Sequence, residues 1–263
     1  MKKTLIALAV AASAAVSGSA MAWTASGTGG SVDLGGTLTP DNNVQSPWEV
    51  KVGVGADNLN GRITKGDTKA EVIVSKNVPV LNIRNINPAG FPGGTGKNNI
   101  VNINFKGLDL NGFSNNKSKI TVDINDGQNR KIGRAEIPFY GMAVLGAAYS
   151  SQSKAGENKT MYTSDSSSAF YGGLPKSYSL LSGPATMDLL ASFDSEATTN
   201  LSFSNTWTST AVNEKFSNSG MKYWAAYGSG IKAGDVIKIS LDAPAGTDAI
   251  TWKASLPVTV SYQ

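Results

Sequence analysis

The chain has 263 residues and a formal net charge of +4 at pH 7, and it contains neither cysteine nor histidine. Without histidine, serine triads, cysteine–histidine pairs and most zinc hydrolases are excluded, so an enzyme would depend on carboxylates, lysine or tyrosine. The scattered charges give no basic footprint for nucleic acid. Because no disulfide can form, the fold must be stabilised by packing or by a partner.

The first 22 residues have the pattern of a secretion signal. Lys2 and Lys3 precede an apolar run over 5–16, and residues 20–22 (Ala-Met-Ala) form a small-x-small cleavage pattern. A membrane span needs about 20 apolar residues, which this run does not reach, so a cleaved signal is favoured over an uncleaved anchor. We therefore expect an exported chain that begins at Trp23.

A short segment of alternating apolar and polar residues follows the signal. Its apolar face, which includes one glycine, is formed by Val32, Leu34, Gly36 and Leu38. This period of two predicts a strand, either the first strand of the chain's own sandwich or one that pairs with a neighbouring molecule. A slip of one residue would turn the apolar face outward, and Gly36 fits only where a groove is shallow, so this glycine would fix the register.

The remaining chain has the pattern of an all-β protein. Short runs predict strands at 48–54, 70–75, 100–105, 120–124, 236–241 and 250–262. Turn residues at 126–127 and 232–235 separate some of these runs, and one short helix is predicted over 185–193, after Pro184. Several short strands with turn signals indicate a β-sandwich.

The middle of the chain, roughly 85–200, is richer in glycine, serine and asparagine and predicts a loop-rich insertion on the sandwich. Its most polar part, 150–168, is expected to be an exposed connection. Aromatic side chains that could bind a glycan are Trp207, Tyr223 and Trp224, although packing inside the sandwich is the commoner role for such rings.

The last predicted strand has seven apolar residues on the even positions from Ile250 to Tyr262, and Lys253 is its only charge. Pro257 cannot donate to a sheet, which indicates an edge or a bulge. A long edge strand with so little charge would aggregate if it were left open. Pairing it with the alternating N-terminal segment of another molecule would cover it by β-augmentation, as in pilin donor-strand complementation.

No motif indicates a metal, a cofactor or catalysis. The glycine-rich stretch 93–97 lacks the spacing of a phosphate loop, and Asp123, Asn125 and Asp126 lack the downstream glutamate of a calcium loop. No pair of carboxylates is marked as an acid–base pair, so a carboxylate-based glycan-active enzyme is the weakest of the functional hypotheses.

Four blocks resemble the K-88 (F-4) fimbrial subunit family, which includes the CS-31A antigen. They are Trp23 with residues 30–39, residues 48–53, the Phe-Tyr-Gly-Gly-Leu-Pro stretch at 170–175, and Trp252 with residues 256–262 at the end of the chain. The signal peptide is also similar, and the resemblance covers the whole chain.

The resemblance implies an incomplete immunoglobulin-like pilin sandwich that is completed by donor-strand exchange. Residues 1–22 would be the signal peptide, 23–39 the donor-strand extension and 40–263 the pilin domain with its insertion. A periplasmic chaperone would fill the gap until an outer-membrane usher exchanges it for the next subunit's extension. The donor residues would be Val32, Leu34, Gly36 and Leu38, and the chaperone or acceptor edge would be lined by Val258, Val260 and Tyr262.

The expected function is therefore that of a structural subunit of a surface fimbria, exported through the periplasm and mediating adhesion to host cells. The alternative is that the subunit is itself a glycan-binding adhesin for host glycoconjugates. The sequence does not distinguish a major from a minor subunit.

Overall fold

The computed structural model describes residues 46–178 and 180–263, which are almost entirely β-structure. The strands are β1 Trp48–Val52, β2 Lys69–Ile73, β3 Val78–Asn85, β4 Phe91–Pro92, β5 Val101–Phe105, β6 Lys117–Asn125, β7 Lys131–Tyr149, β8 Glu157–Thr160, β9 Met221–Ile231, β10 Val236–Leu241, β11 Lys253–Ala254 and β12 Val258–Tyr262. A helix, α1, spans Gly183–Phe193, and a 3-10 turn spans Ser195–Thr198. The predicted signal peptide and the alternating segment 32–38 lie outside the described residues.

The described strands form two antiparallel sheets, which confirms the predicted all-β class. A ten-stranded sheet has the order β1-β3-β9-β7-β10-β2, with β4 paired to β9, β6 and β8 paired to β7, and β11 paired to β6. The other sheet contains β5 and β12. These antiparallel sheets agree with a pilin-type sandwich.

The long strand β7 connects the two halves of the larger sheet. Its first half pairs with β6 and β10, and its second half pairs with β8 and β9. Side chains from both halves, such as Leu81 on β3, Phe139 on β7 and Ile239 on β10, pack in one hydrophobic core. The sheet is therefore folded over on itself around that core.

A helical layer covers the outer face of β7 and β9. Leu190 and Phe193 of α1 pack against Met142, Val144 and Ala226 in a second hydrophobic cluster. This close approach depends on glycines in β9. A Cβ at residue 228 would lie 2.8 Å from a methyl carbon of Leu190, and one at residue 230 would lie 2.6 Å from the Phe193 ring.

Most of the predicted elements are confirmed to within a few residues. The predictions at 48–54, 70–75, 100–105, 120–124 and 236–241 correspond to β1, β2, β5, β6 and β10, and the predicted helix corresponds to α1. The turn at 232–235 has Gly234 at φ +87°, a conformation that glycine adopts without strain. The boundaries of the insertion predicted at 85–200 remain a prediction, and that range includes the core strands β5, β6 and β7.

The prediction of one continuous strand over 250–262 is wrong. The segment contains two short strands, β11 and β12, which pair with different partners, β6 and β5. Residues 255–257 separate them, and Pro257 has no N–H to continue a ladder. The alternation of apolar residues persists across this break because Trp252, Leu256, Val258 and Val260 all pack partly against the same core.

The prediction of an exposed loop over 150–168 is wrong for its centre. Residues 151–154 are exposed, but β8 pairs with β7 and the side chain of Asn158 is buried. The Asn158 amide donates to the Ser204 carbonyl at 2.6 Å and accepts from the Ser204 N–H at 3.2 Å. The polar residues of this segment are therefore not all exposed, since a side chain such as Asn158 is buried and hydrogen-bonds to backbone groups.

Candidate functional site

Two of the described strands that are paired along one edge only, β1 and β12, also leave core-facing side chains exposed. β1 pairs with β3, and β12 pairs with β5; among residues 46–178 and 180–263, no strand pairs with the other edge of either. Each strand therefore leaves a row of backbone N–H and C=O groups without a sheet partner, which is the usual template for adding another strand.

Side chains that face the core are exposed along both of these edges. Alternation places Val50 and Val52 on the face of the buried Trp48, yet their exposed fractions are 39% and 60%. On β12, Val258 and Val260 pack only partly against the core, and Tyr262 is 37% exposed. We call these five residues, Val50, Val52, Val258, Val260 and Tyr262, the edge groove.

The two edges are anchored at a common corner of the sandwich. The Trp48 indole N–H donates to the Asn99 carbonyl at 3.0 Å, and Ile100 and Gln263 exchange backbone hydrogen bonds of 3.2 and 2.9 Å. The Trp48 ring packs against Phe91 at a centroid distance of 4.8 Å. The start of β1 is therefore bound to Asn99, and the residue after β12 is bound to the adjacent Ile100.

The Phe-Tyr-Gly-Gly-Leu-Pro block lies against β5, on the edge opposite to β12. The Phe170 N–H donates to the Val101 carbonyl at 2.7 Å, and the Ile103 N–H donates to the Tyr171 carbonyl at 2.8 Å. Gly172 has φ +85°, and a Cβ there would lie 1.9 Å from the Ile103 oxygen. The glycine is required for this close approach, which positions β5 and, through it, β12.

The other face of β1 has charged side chains that bind the segment after α1. Lys51 Nζ lies 2.7 Å from Asp194 and 2.8 Å from Glu196, and Arg84 Nε lies 2.6 Å from Glu49. The hydrogen bonds with Asp194 and then with Glu196 raise the pKa of Lys51 above its ordinary value. We call Glu49, Lys51, Arg84, Asp194 and Glu196 the β1 ion-pair cluster.

An open cleft of about 590 Å³ lies over another part of the core. Its apolar walls include Val72, Ile124, Ile239 and Trp252, and the chain segments 60–63 and 246–250 form its rim. Val72, Ile124 and Ile239 belong to the core cluster, so the cleft is a place where the core is incompletely covered.

The aromatic residues considered for glycan binding do not form an exposed platform. Trp224 and Tyr223 are buried; the Trp224 indole donates to the Pro88 carbonyl at 2.9 Å, and burial raises the pKa of Tyr223 to about 12. Trp207 is half-buried and packs edge-on against Phe203 at 5.8 Å. Their burial favours the packing interpretation. The exposed Tyr178, whose ring packs on that of Tyr162 at a centroid distance of 4.7 Å, was not predicted from the sequence.

The described part of the chain has no group of three or more acidic side chains placed to hold a metal ion. Nor does any helix there have the length and apolar character needed to cross a membrane. The candidate functional site of the described residues is therefore the edge groove, whose chemistry is strand pairing and burial of apolar side chains.

Comparison with known proteins agrees with a role in assembly. A family described as fimbrial, major and minor subunit, matches residues 1–263. Over the full length of both chains, the sequence is 32% identical to K88 fimbrial protein AC and 33% identical to K88 fimbrial protein AD, both from Escherichia coli. It is 27% identical to the F41 fimbrial protein of Escherichia coli, also over both full lengths.

Proposed function

The chain belongs to the family of fimbrial major and minor subunits, and on this basis we propose that it polymerises by donating residues 23–39 to the edge groove of the next subunit. In this proposal the sandwich of residues 40–263 lacks one strand. The neighbouring subunit supplies that strand, and the fimbria grows by repetition of this contact on the cell surface.

The observation that carries the proposal is the exposure of core-facing side chains on two edge strands. Val52 is 60% exposed although it lies on the same face of β1 as the buried Trp48. Complete burial of a valine or leucine side chain contributes roughly 1.5–3 kcal/mol. A strand that covered the edge groove would gain this burial together with the backbone hydrogen bonds that β1 and β12 leave unpaired.

The sequence of the N-terminal segment suits this role. Burial of the Val32, Leu34 and Leu38 side chains would each contribute roughly 1.5–3 kcal/mol to the free energy of association. Each backbone hydrogen bond to the donor strand would add about 0.5–1.5 kcal/mol net. Gly36 would lie where the groove leaves no room for a side chain and would fix the register. On the acceptor, Val258, Val260 and Tyr262 would contact these donor residues.

Deletion of residues 23–38 tests the proposal. The truncated protein should still bind a periplasmic chaperone through its open edge, but on its own it should not be extended into fibres, because no subunit has a donor segment. Electron microscopy and chaperone co-purification measure the two outcomes. Fibres built from the truncated chain alone would overturn the donor assignment.

A matched pair of substitutions tests the register. Gly36→Ile introduces a large side chain at the position proposed to contact the groove floor, whereas Val32→Ile adds one methylene to a side chain that already fits. We expect Gly36→Ile to reduce fibre yield far more than Val32→Ile. Equal yields would show that Gly36 does not fix the register.

The same groove would be occupied during export by the periplasmic chaperone, and an outer-membrane usher would exchange the chaperone for the next subunit. This route follows the family resemblance and requires the signal peptide over 1–22. The relatives are fimbrial proteins rather than enzymes, which supports a structural role. Adhesion to host cells is proposed for the assembled fimbria, since Tyr223 and Trp224 are too buried to support a glycan site at those rings.

A further inference from the structure

Strand β1 has two functional faces because side chains alternate along it. Val50 and Val52 lie on the face of the edge groove, while Glu49 and Lys51 lie on the opposite face. Both charged residues have partners outside the strand. Lys51 binds Asp194 and Glu196, and Glu49 binds Arg84 of the neighbouring strand β3.

The partners of β1 connect it to the segment that follows α1. Arg84 also donates to the Glu196 carbonyl and to the Thr199 hydroxyl, the latter at 2.5 Å. The Asn200 amide donates to the Glu49 carboxylate at 3.3 Å and to the Asn85 carbonyl at 2.9 Å. Residues 194–200 are thus held by side chains from β1 and from the adjacent strand.

Apart from these polar contacts, the segment is attached by a buried side chain and by the backbone hydrogen bond from Asp194 to Leu190 of α1. In the 3-10 turn Ser195–Thr198, Ala197 is the buried residue, and it packs in the cluster beneath α1. Glu196 and Asn200 make their tertiary contacts through β1, β3 and the residues just after β3. The position of residues 194–200 therefore depends on β1 together with β3 and α1.

We infer that occupancy of the edge groove is energetically coupled to the order of residues 194–200, with Lys51 and Arg84 as the positioning residues. This inference rests on the proposed function. A donor strand paired to β1 would restrict its backbone and hold Glu49 and Lys51 in place for their partners. Because such coupling is reciprocal, loss of the β1 ion-pair cluster must weaken retention of the donor strand.

Because of this coupling, residues 194–200 would be less ordered in a free subunit than in a fibre. In the free subunit β1 is an edge with one partner, and the segment bound to it shares its fluctuations. Once the groove is filled, β1 lies inside a sheet and the segment becomes ordered. The surface formed by residues 194–200 would thereby report that a subunit has been incorporated.

The experiment uses the full mature chain with Leu34→Asp, which disables its own donor segment, and a fluorescent peptide with the sequence of residues 30–39. Hydrogen exchange over 194–200 should slow when the peptide binds. Lys51→Gln should reduce this protection and speed peptide release by about two- to fivefold, the range of an exposed ion pair. Glu196→Gln should act in the same direction.

Lys119→Gln is the matched control. Lys119 pairs with Glu136 at an Nζ–Oε2 distance of 2.8 Å, the same as that between Lys51 and Glu196, and this hydrogen bond likewise raises the pKa of Lys119. Lys119 differs in that it lies on β6. The Lys119→Gln variant should release the peptide at the wild-type rate. Peptide binding without protection of 194–200, or equal release from the Lys51 and Lys119 variants, would overturn the coupling alone. Failure of the peptide to bind any variant would overturn the proposed function as well.

Discussion

The centre of the larger sheet and the two edge strands of the groove are built in opposite ways. From Tyr223 to Ile231 every residue of β9 is buried, with the hydrophobic core on one face and α1 on the other. In β1, by contrast, the four residues after Trp48 are exposed, although valines occupy the core-facing positions. Both strands have apolar residues, so composition does not distinguish them.

The difference indicates where stability and association are located. Burial at the centre is complete within one molecule, and mutations there should lower the free energy of unfolding. At the edges the apolar side chains and backbone groups lack partners among the described residues, so mutations there should act mainly on the binding of an added strand. Substitutions at matched positions separate these two effects.

The largest effect is expected in the centre. Leu145 on β7 is 1% exposed, and Leu145→Ala should lower the free energy of unfolding of the protein without peptide by about 2–5 kcal/mol because it leaves a cavity. Denaturant titration measures this value. The control Val52→Ala, at an exposed edge position, should cost under about 1 kcal/mol without peptide. Equal losses at both sites would contradict the comparison.

A smaller loss is expected at the block that supports β5. Gly172 and Gly66 both have positive φ, +85° and +92°, but a Cβ at residue 172 would meet the Ile103 oxygen while one at residue 66 would meet nothing within 4 Å. Gly66→Ala should cost about 1–2 kcal/mol for conformation alone. Gly172→Ala should cost more and should also weaken peptide binding through β5 and β12. Unfolding curves that coincide would show that the contact with Ile103 has no role.

Adjacent positions on β12 provide a third test. Val260→Thr places a hydroxyl on the groove face and should weaken binding of the donor peptide about three- to tenfold, since burial of an unpaired hydroxyl is unfavourable. The reverse change, Thr259→Val, alters the outward face and should leave the affinity unchanged. Fluorescence anisotropy measures both constants. A larger effect from Thr259→Val would show that the strand faces are reversed.

The smallest effect concerns a carboxylate remote from the groove. The hydroxyl of Ser167, followed by that of Ser164, lowers the pKa of Asp165 from 3.8 to about 2. A lowered folded-state pKa stabilises the protein above the unfolded value, and this contribution is lost as the pH falls from about 4 towards 2. Carbon-detected NMR titration of the carboxyl group measures the pKa. Ser167→Ala should raise it without altering peptide binding.

The sequence predicts strands best where one face is exposed. β6 and β10 alternate between buried and exposed residues along most of their length, so their period of two is visible in the sequence. β9 was not predicted, because a core on one face and α1 on the other allow apolar and small residues at every position. The same two-sided burial explains why Trp224 was considered as a ligand platform but lies in the interior.

The candidate site was accessible to sequence reasoning only in part. Val258, Val260 and Tyr262 stand out through their alternation, and they lie on a strand whose second edge is paired with no other described strand. The β1 ion-pair cluster has no sequence signal, because Lys51 and Glu196 are 145 positions apart and are brought together by the packing of α1. The role of Gly172 likewise depends on a contact with β5 that no local pattern predicts.

Strand β7 has a consequence for the way the protein denatures. Its backbone hydrogen-bonds with β6 and β10 at one end and with β8 and β9 at the other, so both halves of the larger sheet depend on this one strand. The helical layer also rests on β7 and would be released in the same event. The two halves should therefore melt together in one transition, and a subunit pulled along its fibre would yield as a whole rather than layer by layer.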